Sequence, residues 1–236
     1  MLHTPIYYGL LALLAIALLF AACTDLRRRQ IDNWLNAAIA LAAPAFWWAG
    51  GLELWPGIAL HLGVALGAFA LAAGLFAIGQ MGGGDVKLIA ALALWFPPSV
   101  FLQMLIIMAV LGYVLTMGLG ALRVGRADGG IRSRDMVVLT ALAGIAALLI
   151  AAFSGLVALP LPQFLRDAAA SSLWIALIVF QLPVLVLAYV SIHSIRIFRR
   201  RQVSIAAPYG VAIAGAALWL IAVQFAGFEP LRSAIA

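Results

Sequence analysis

The sequence predicts an all-α, polytopic bundle of transmembrane helices, and three observations carry that prediction. Hydrophobic residues make up 67% of the chain and charged residues 9%, whereas a soluble domain carries about 25% charged residues to cover its surface. Apolar runs of roughly 20 residues, each long enough to cross a hydrocarbon core of about 30 Å, recur along the whole length. Period-2 alternation is absent, so helices are the only spanning element the pattern allows. The lipid bilayer is therefore the first expected partner, and no soluble domain is expected on either side.

About eight membrane segments follow, within a single membrane-embedded domain covering 1–236. The first, 5–23, stops at Thr24-Asp25 and an arginine cluster. The second, 34–52, follows Asp32-Asn33 and stops at Glu53. The third, 57–79, begins after Pro56 and ends at Gln80, and the fourth, 86–96, lies between Asp85 and Pro97-Pro98. The fifth, 99–121, ends at Arg123. Segments 136–157 and 172–192 are framed by Asp135 and Arg196, and the last, 204–226, follows Arg199-Arg200-Arg201. The lone Cys23 excludes a disulfide framework and a cysteine-built zinc site. A lipoprotein signal ending at Cys23 fits poorly, because no Lys or Arg precedes the apolar run, so the first helix is expected to remain uncleaved.

Positive charge sets the orientation. With the N-terminus outside, the inner connections hold Arg27, Arg28, Arg29, Lys87, Arg123, Arg126, Arg132, Arg134, Arg196, Arg199, Arg200 and Arg201, and only Arg166 and Arg232 remain outside. Both termini then lie outside. The net charge of +6 is thus topological, and nucleic acid is not an expected partner. Segment 86–96 is the exception: as a helix it is about 16 Å long and cannot cross a full core. Placing Pro97-Pro98 near the outer surface leaves Asp85 below the inner surface, inside the membrane.

Eight carboxylates exist in all, so each can be sorted. Glu53, Asp167 and Glu229 fall outside, and Asp128 and Asp135 share a loop with arginines. Asp25, Asp32 and Asp85 remain, at the inner mouths of helices, where ionisable groups are costly and usually functional. Gly82-Gly83-Gly84 precedes Asp85, and such a run permits φ > 0 and close approach of another backbone. No Gly-Lys-Ser/Thr follows, which argues against a phosphate loop. Pro208-Tyr209-Gly210-Val211 opens the last helix at the same face; alone, its proline is ordinary first-turn chemistry.

Together, Asp25-x5-Ile31-x-Asn33, Gly82-x-Gly84-Asp85-Val86-Lys87-Leu88 and Pro208-Tyr209-Gly210-Val211-Ala212-Ile213-Ala214 resemble the prepilin peptidases, of the Gly-x-Gly-Asp class of membrane aspartic peptidases. The similarity is to the short branch serving Flp (tight-adherence) pili, over about 1–123 and 202–226. The chain departs from that pattern at Asp32, where the family usually has proline. A two-helix segment at about 124–201 adds to a six-helix core.

The resemblance implies Asp25 and Asp85 as the catalytic pair. Gly82 and Gly84 would shape the peptide-binding turn, and Lys87, Asn33, Pro208 and Tyr209 would shape the site or contact substrate. Two carboxylates sharing one proton supply the base and the acid that amide hydrolysis needs. The implied partner is a prepilin with a short basic leader, handled at the cytoplasmic face of a bacterial inner membrane in possible association with pilus assembly machinery. The paired Cys-x-x-Cys of larger relatives is missing, so no metal, no cofactor and no methyl transfer are expected. A proton- or cation-coupled transporter using inner-face aspartates, and a non-catalytic secretion subunit, are the competing classes. Neither is favoured: no internal repeat is visible, and the acids gather at one face instead of the midplane.

Overall fold

The computed structural model describes residues 4–127 and 208–225, together with 141 and 144. Among these residues all regular structure is helical: α1 (Thr4–Arg28), α2 (Asn33–Ala49), a π-turn (Leu54–Ile58), α3 (Ala59–Ala77), α4 (Gly83–Ala93), α5 (Pro98–Ala127) and a last helix, α6 (Tyr209–Phe225). Three stretches, Pro5–Arg28, Leu54–Ala77 and Pro98–Thr116, are long and apolar enough to cross a membrane. The chain divides into two bodies, 1–108 with 208–236, and 109–207. The first holds α1 to α4, the start of α5 and α6. The second is described only at the continuation of α5 and at 141 and 144, which are helical. Apart from those two positions, the expected helices 136–157 and 172–192 lie outside the described residues.

In α1 the buried positions are Leu11, Leu14, Leu18, Ala21, Thr24 and Asp25. Steps of three and four keep them on one face, the seam that a helix presents to its neighbours. Leu13, Ile16, Leu19 and Phe20 face outward, as lipid-facing residues do. The seam packs against α6 and α2. On α6, Ala212, Ala214, Ala216 and Ala217 are fully buried, and side chains this small let two helix backbones approach closely in a membrane.

The short helix α4 is the core of the first body. Val86, Leu88, Ile89, Ala91 and Leu92 are all buried, against α2, α3 and α6. Its 11 residues span only about 16 Å, and the surrounding helices cover it where a longer helix would meet lipid. Two indoles tie it to α2: Trp47 donates to the Leu94 carbonyl at 2.7 Å, and Trp95 donates to the Ile39 carbonyl at 2.9 Å. The first bond satisfies one of the carbonyls that a helix end leaves without an intrahelical donor.

Several boundaries differ from the sequence reading, each for a local reason. Helix α1 continues to Arg28, putting Asp25 in its closing turns instead of a connection. Arg27 and Arg28 sit in the last turn, where cations complement the helix dipole. Arg29 then turns the chain with φ +53. Helix α2 stops at Ala49 because Gly51 adopts φ +67. Helix α5 runs past 121 to Ala127.

Trp47→Phe and Trp95→Phe should each destabilise the protein. The lost hydrogen bond contributes about 0.5–1.5 kcal/mol, and the smaller ring adds a cavity penalty. Thermal denaturation in detergent should show a lower midpoint for both variants.

Candidate functional site

Three short segments converge in the first body: the loop 29–33 after α1, the glycine run 82–84 before Asp85, and the amino end of α6. The loop and the glycine run border a cavity of about 330 Å³ whose lining includes Asp25, Asp32, Asn33, Gly82, Gly84 and Asp85. Asp25 reaches it because the buried seam of α1 ends there. Asp85 reaches it from the first turn of α4. Both are buried, at 6% and 9% exposure, and they lie close enough to interact through their charges.

Each carboxylate is held by backbone amides at a helix amino end, where N–H groups lack intrahelical acceptors and the dipole favours negative charge. Gly82 is the N-cap of α4, and its N–H bonds the Asp85 carboxylate. This is the returning half of a capping box. Asp25 is held from another helix: the Val211 N–H donates to its Oδ2 at 3.2 Å, and the Gly210 N–H also bonds the carboxylate. Val211 shares that donor with the Pro208 carbonyl, also at 3.2 Å.

The glycines work differently from the expectation of positive φ. Gly82 is extended, at φ −77 and ψ 145, and Gly83 and Gly84 are helical. The positive-φ glycines among the described residues are Gly51 and Gly79. What Gly84 provides is close approach. A Cβ there would stand 3.1 Å from the Ile31 Cβ and 3.3 and 3.4 Å from the Ile31 carbonyl oxygen and nitrogen. The approaching backbone is therefore the protein's own loop. A Cβ on Gly82 would meet Asp85 Oδ2 at 3.0 Å, whereas one on Gly83 would meet only the Phe76 ring at 3.5 Å.

Around this pair the remaining expected residues divide. Lys87 donates to Asn33 Oδ1 at 2.7 Å, tying α4 to the start of α2. Pro208 is buried at the head of α6, while Tyr209 is exposed and does not line the cavity. Asp32 holds φ −66, the angle a proline ring would impose, so the turn keeps proline-like geometry without the ring. Its side chain makes no capping bond.

Residues the sequence reading passed over also matter. Asn36 is buried and donates to the Gly84 carbonyl at 3.2 Å. Ile31 packs against Gly84, and Gly210 leaves room for both Ile31 and Asp25. Asn36 carried a signal: an amide on the face of α2 that also presents Leu35, Ile39 and Ala43 to the core.

The described residues thus form helices, three of them long and apolar enough to cross a membrane, with two buried acids on one cavity. Residues 12–117 match the model of the type IV leader peptidase family. That match places this stretch in the prepilin peptidase family and supports a prepilin leader peptidase-type protease. It takes in Asp25, Asn33, Gly82, Gly84, Asp85 and Lys87; the segment 208–211 lies beyond it. No curated protein and no solved structure matches the chain.

The three glycines should respond differently to alanine. Gly84→Ala presses on backbone that cannot swing aside and should cost about 1–3 kcal/mol of stability. Gly83→Ala should be close to neutral. Gly82→Ala meets only the movable end of Asp85, so it should reduce activity more than stability. Thermal midpoints in detergent, read beside prepilin cleavage, check all three.

Proposed function

We propose that the chain is an intramembrane aspartic endopeptidase that removes the short basic leader from type IV-like, Flp-type prepilins. The observation that carries this reading is the placement of the buried Asp25 and Asp85 on one cavity, both within the segment that matches the leader peptidases. In the reaction, one carboxylate accepts a proton from water as the water oxygen attacks the scissile carbonyl carbon. The other, protonated, gives its proton to the carbonyl oxygen. Collapse of the tetrahedral intermediate breaks the C–N bond, the amine leaves with the proton first taken from water, and the second carboxyl regains its own.

Both acids sit at helix mouths beside the arginines of the 27–29 cluster, so the reading places the site at the cytoplasmic face of a bacterial inner membrane. There a prepilin presents the junction between its leader and its apolar helix. Asp32 is the carboxylate available to the basic leader, because it borders the cavity and its side chain is not used for capping.

Co-expression with a candidate Flp-type prepilin tests the proposal by gel shift. Asp25→Asn and Asp85→Asn should each lower cleavage by roughly 10²–10⁴-fold or more while the protein still accumulates in the membrane, since an amide is neither the base nor the acid here. Near wild-type processing by either variant rejects that residue as catalytic. Asp32→Asn should keep the chemical step and weaken leader binding.

A further inference from the structure

We propose that the amino end of α6 is a positioning element for Asp25, with Gly210 as the residue that makes it possible; the inference rests on the peptidase reading and adds to it. The seam of α1 delivers the Asp25 backbone to the cavity but leaves its carboxylate free to rotate. The amides of Gly210 and Val211 fix it, the second at 3.2 Å from Oδ2. Any side chain at 210 would prevent this. A Cβ there would stand 2.8 Å from Asp25 Oδ2, 2.9 Å from its Cγ and 2.8 Å from Ile31 Cδ1.

Gly210 is not among the positive-φ glycines, so alanine could adopt its helical backbone. Contact opposes it, because at under 3.0 Å one of the facing side-chain ends must move. Both partners are side-chain ends, Ile31 Cδ1 and the Asp25 carboxylate, and the carboxylate, held through its amide contacts, is the group that yields. Gly210 thus acts on the chemistry through Asp25 and not through substrate. The motif around Gly210 did not reveal this role, because a glycine in a helix's first turn opposite an aspartate on another helix has no local pattern.

The test uses the full chain in detergent with a prepilin substrate. Gly210→Ala should lower kcat at least about tenfold while KM stays within about twofold, an effect of one 1.4 kcal/mol step or more on the chemical barrier. Ile31→Val removes the Cδ1 contact, and its own kcat is the reference for the double variant. Adding it to Gly210→Ala should recover the thermal midpoint and leave kcat low. Recovery of kcat in the double variant would mean that packing on Ile31 was the whole effect, and would overturn the proposal.

Val211→Pro removes the donor and sets its ring Cδ against Asp25 Oδ2 with no new bulk against Ile31, and a first helical turn tolerates proline. It should also lower kcat, and wild-type kcat there would overturn the proposal where Gly210→Ala does not accumulate. Carbodiimide labelling read by mass spectrometry reports on the carboxylate with no substrate present. Gly210→Ala should raise labelling of Asp25 several-fold and leave Asp85 unchanged, and equal labelling of Asp25 in both proteins would contradict the proposal. This last readout separates the inference from the peptidase reading, which fails instead if the wild-type protein leaves prepilin uncut.

Discussion

The arrangement depends on Ile31, wedged between two glycines at which a Cβ would crowd it. On one side its backbone lies against Gly84, where a Cβ would approach within 3.1 to 3.4 Å. On the other its Cδ1 lies where a Cβ of Gly210 would stand at 2.8 Å. Close packing of this kind is felt at the level of single carbon atoms. It fixes the loop 29–33 against the heads of both α4 and α6, and each of those heads holds one of the two aspartates. The bond from Asn36 to the Gly84 carbonyl and the bond from Lys87 to Asn33 brace the same junction from α2.

A buried carboxylate is costly unless its oxygens are hydrogen-bonded. The protein meets that cost twice with the same device, the unsatisfied amides of a helix amino end. For Asp85 the helix is its own, with the acid at the third position after the Gly82 cap. For Asp25 it is a helix from the far end of the chain. Two acids secured independently in this way can be brought close enough to interact without either being expelled to solvent, as the proposed proton-sharing chemistry requires.

Much of this was legible in the sequence. Composition and run length fixed an all-helical membrane protein. Sorting the carboxylates isolated Asp25, Asp32 and Asp85, which the structure places on one cavity. The three-and-four spacing that ends at Asp25 could have been read as a buried seam, and Asn36 shares the core face of α2. Other features were not legible. The triple glycine suggested both φ > 0 and close approach of another backbone; close approach is its use here, and what could not be read was that the backbone opposite is Ile31. The contact between Gly210 and Asp25 joins distant parts of the chain and leaves no local pattern. Tyr209 looked like a site residue by its place in a motif, but helical geometry turns it away from the cavity while its neighbour Gly210 faces Asp25.

The central claim is that Asp25 and Asp85 face each other across one cavity. Thiol cross-linking tests it directly, with Asp25→Cys and Asp85→Cys combined in a Cys23→Ser background and treated in membranes with a short bifunctional thiol reagent. The account predicts an intramolecular bridge between positions 25 and 85, found as a linked peptide by mass spectrometry. Two thiols that each react separately with a monofunctional reagent yet never bridge would contradict it.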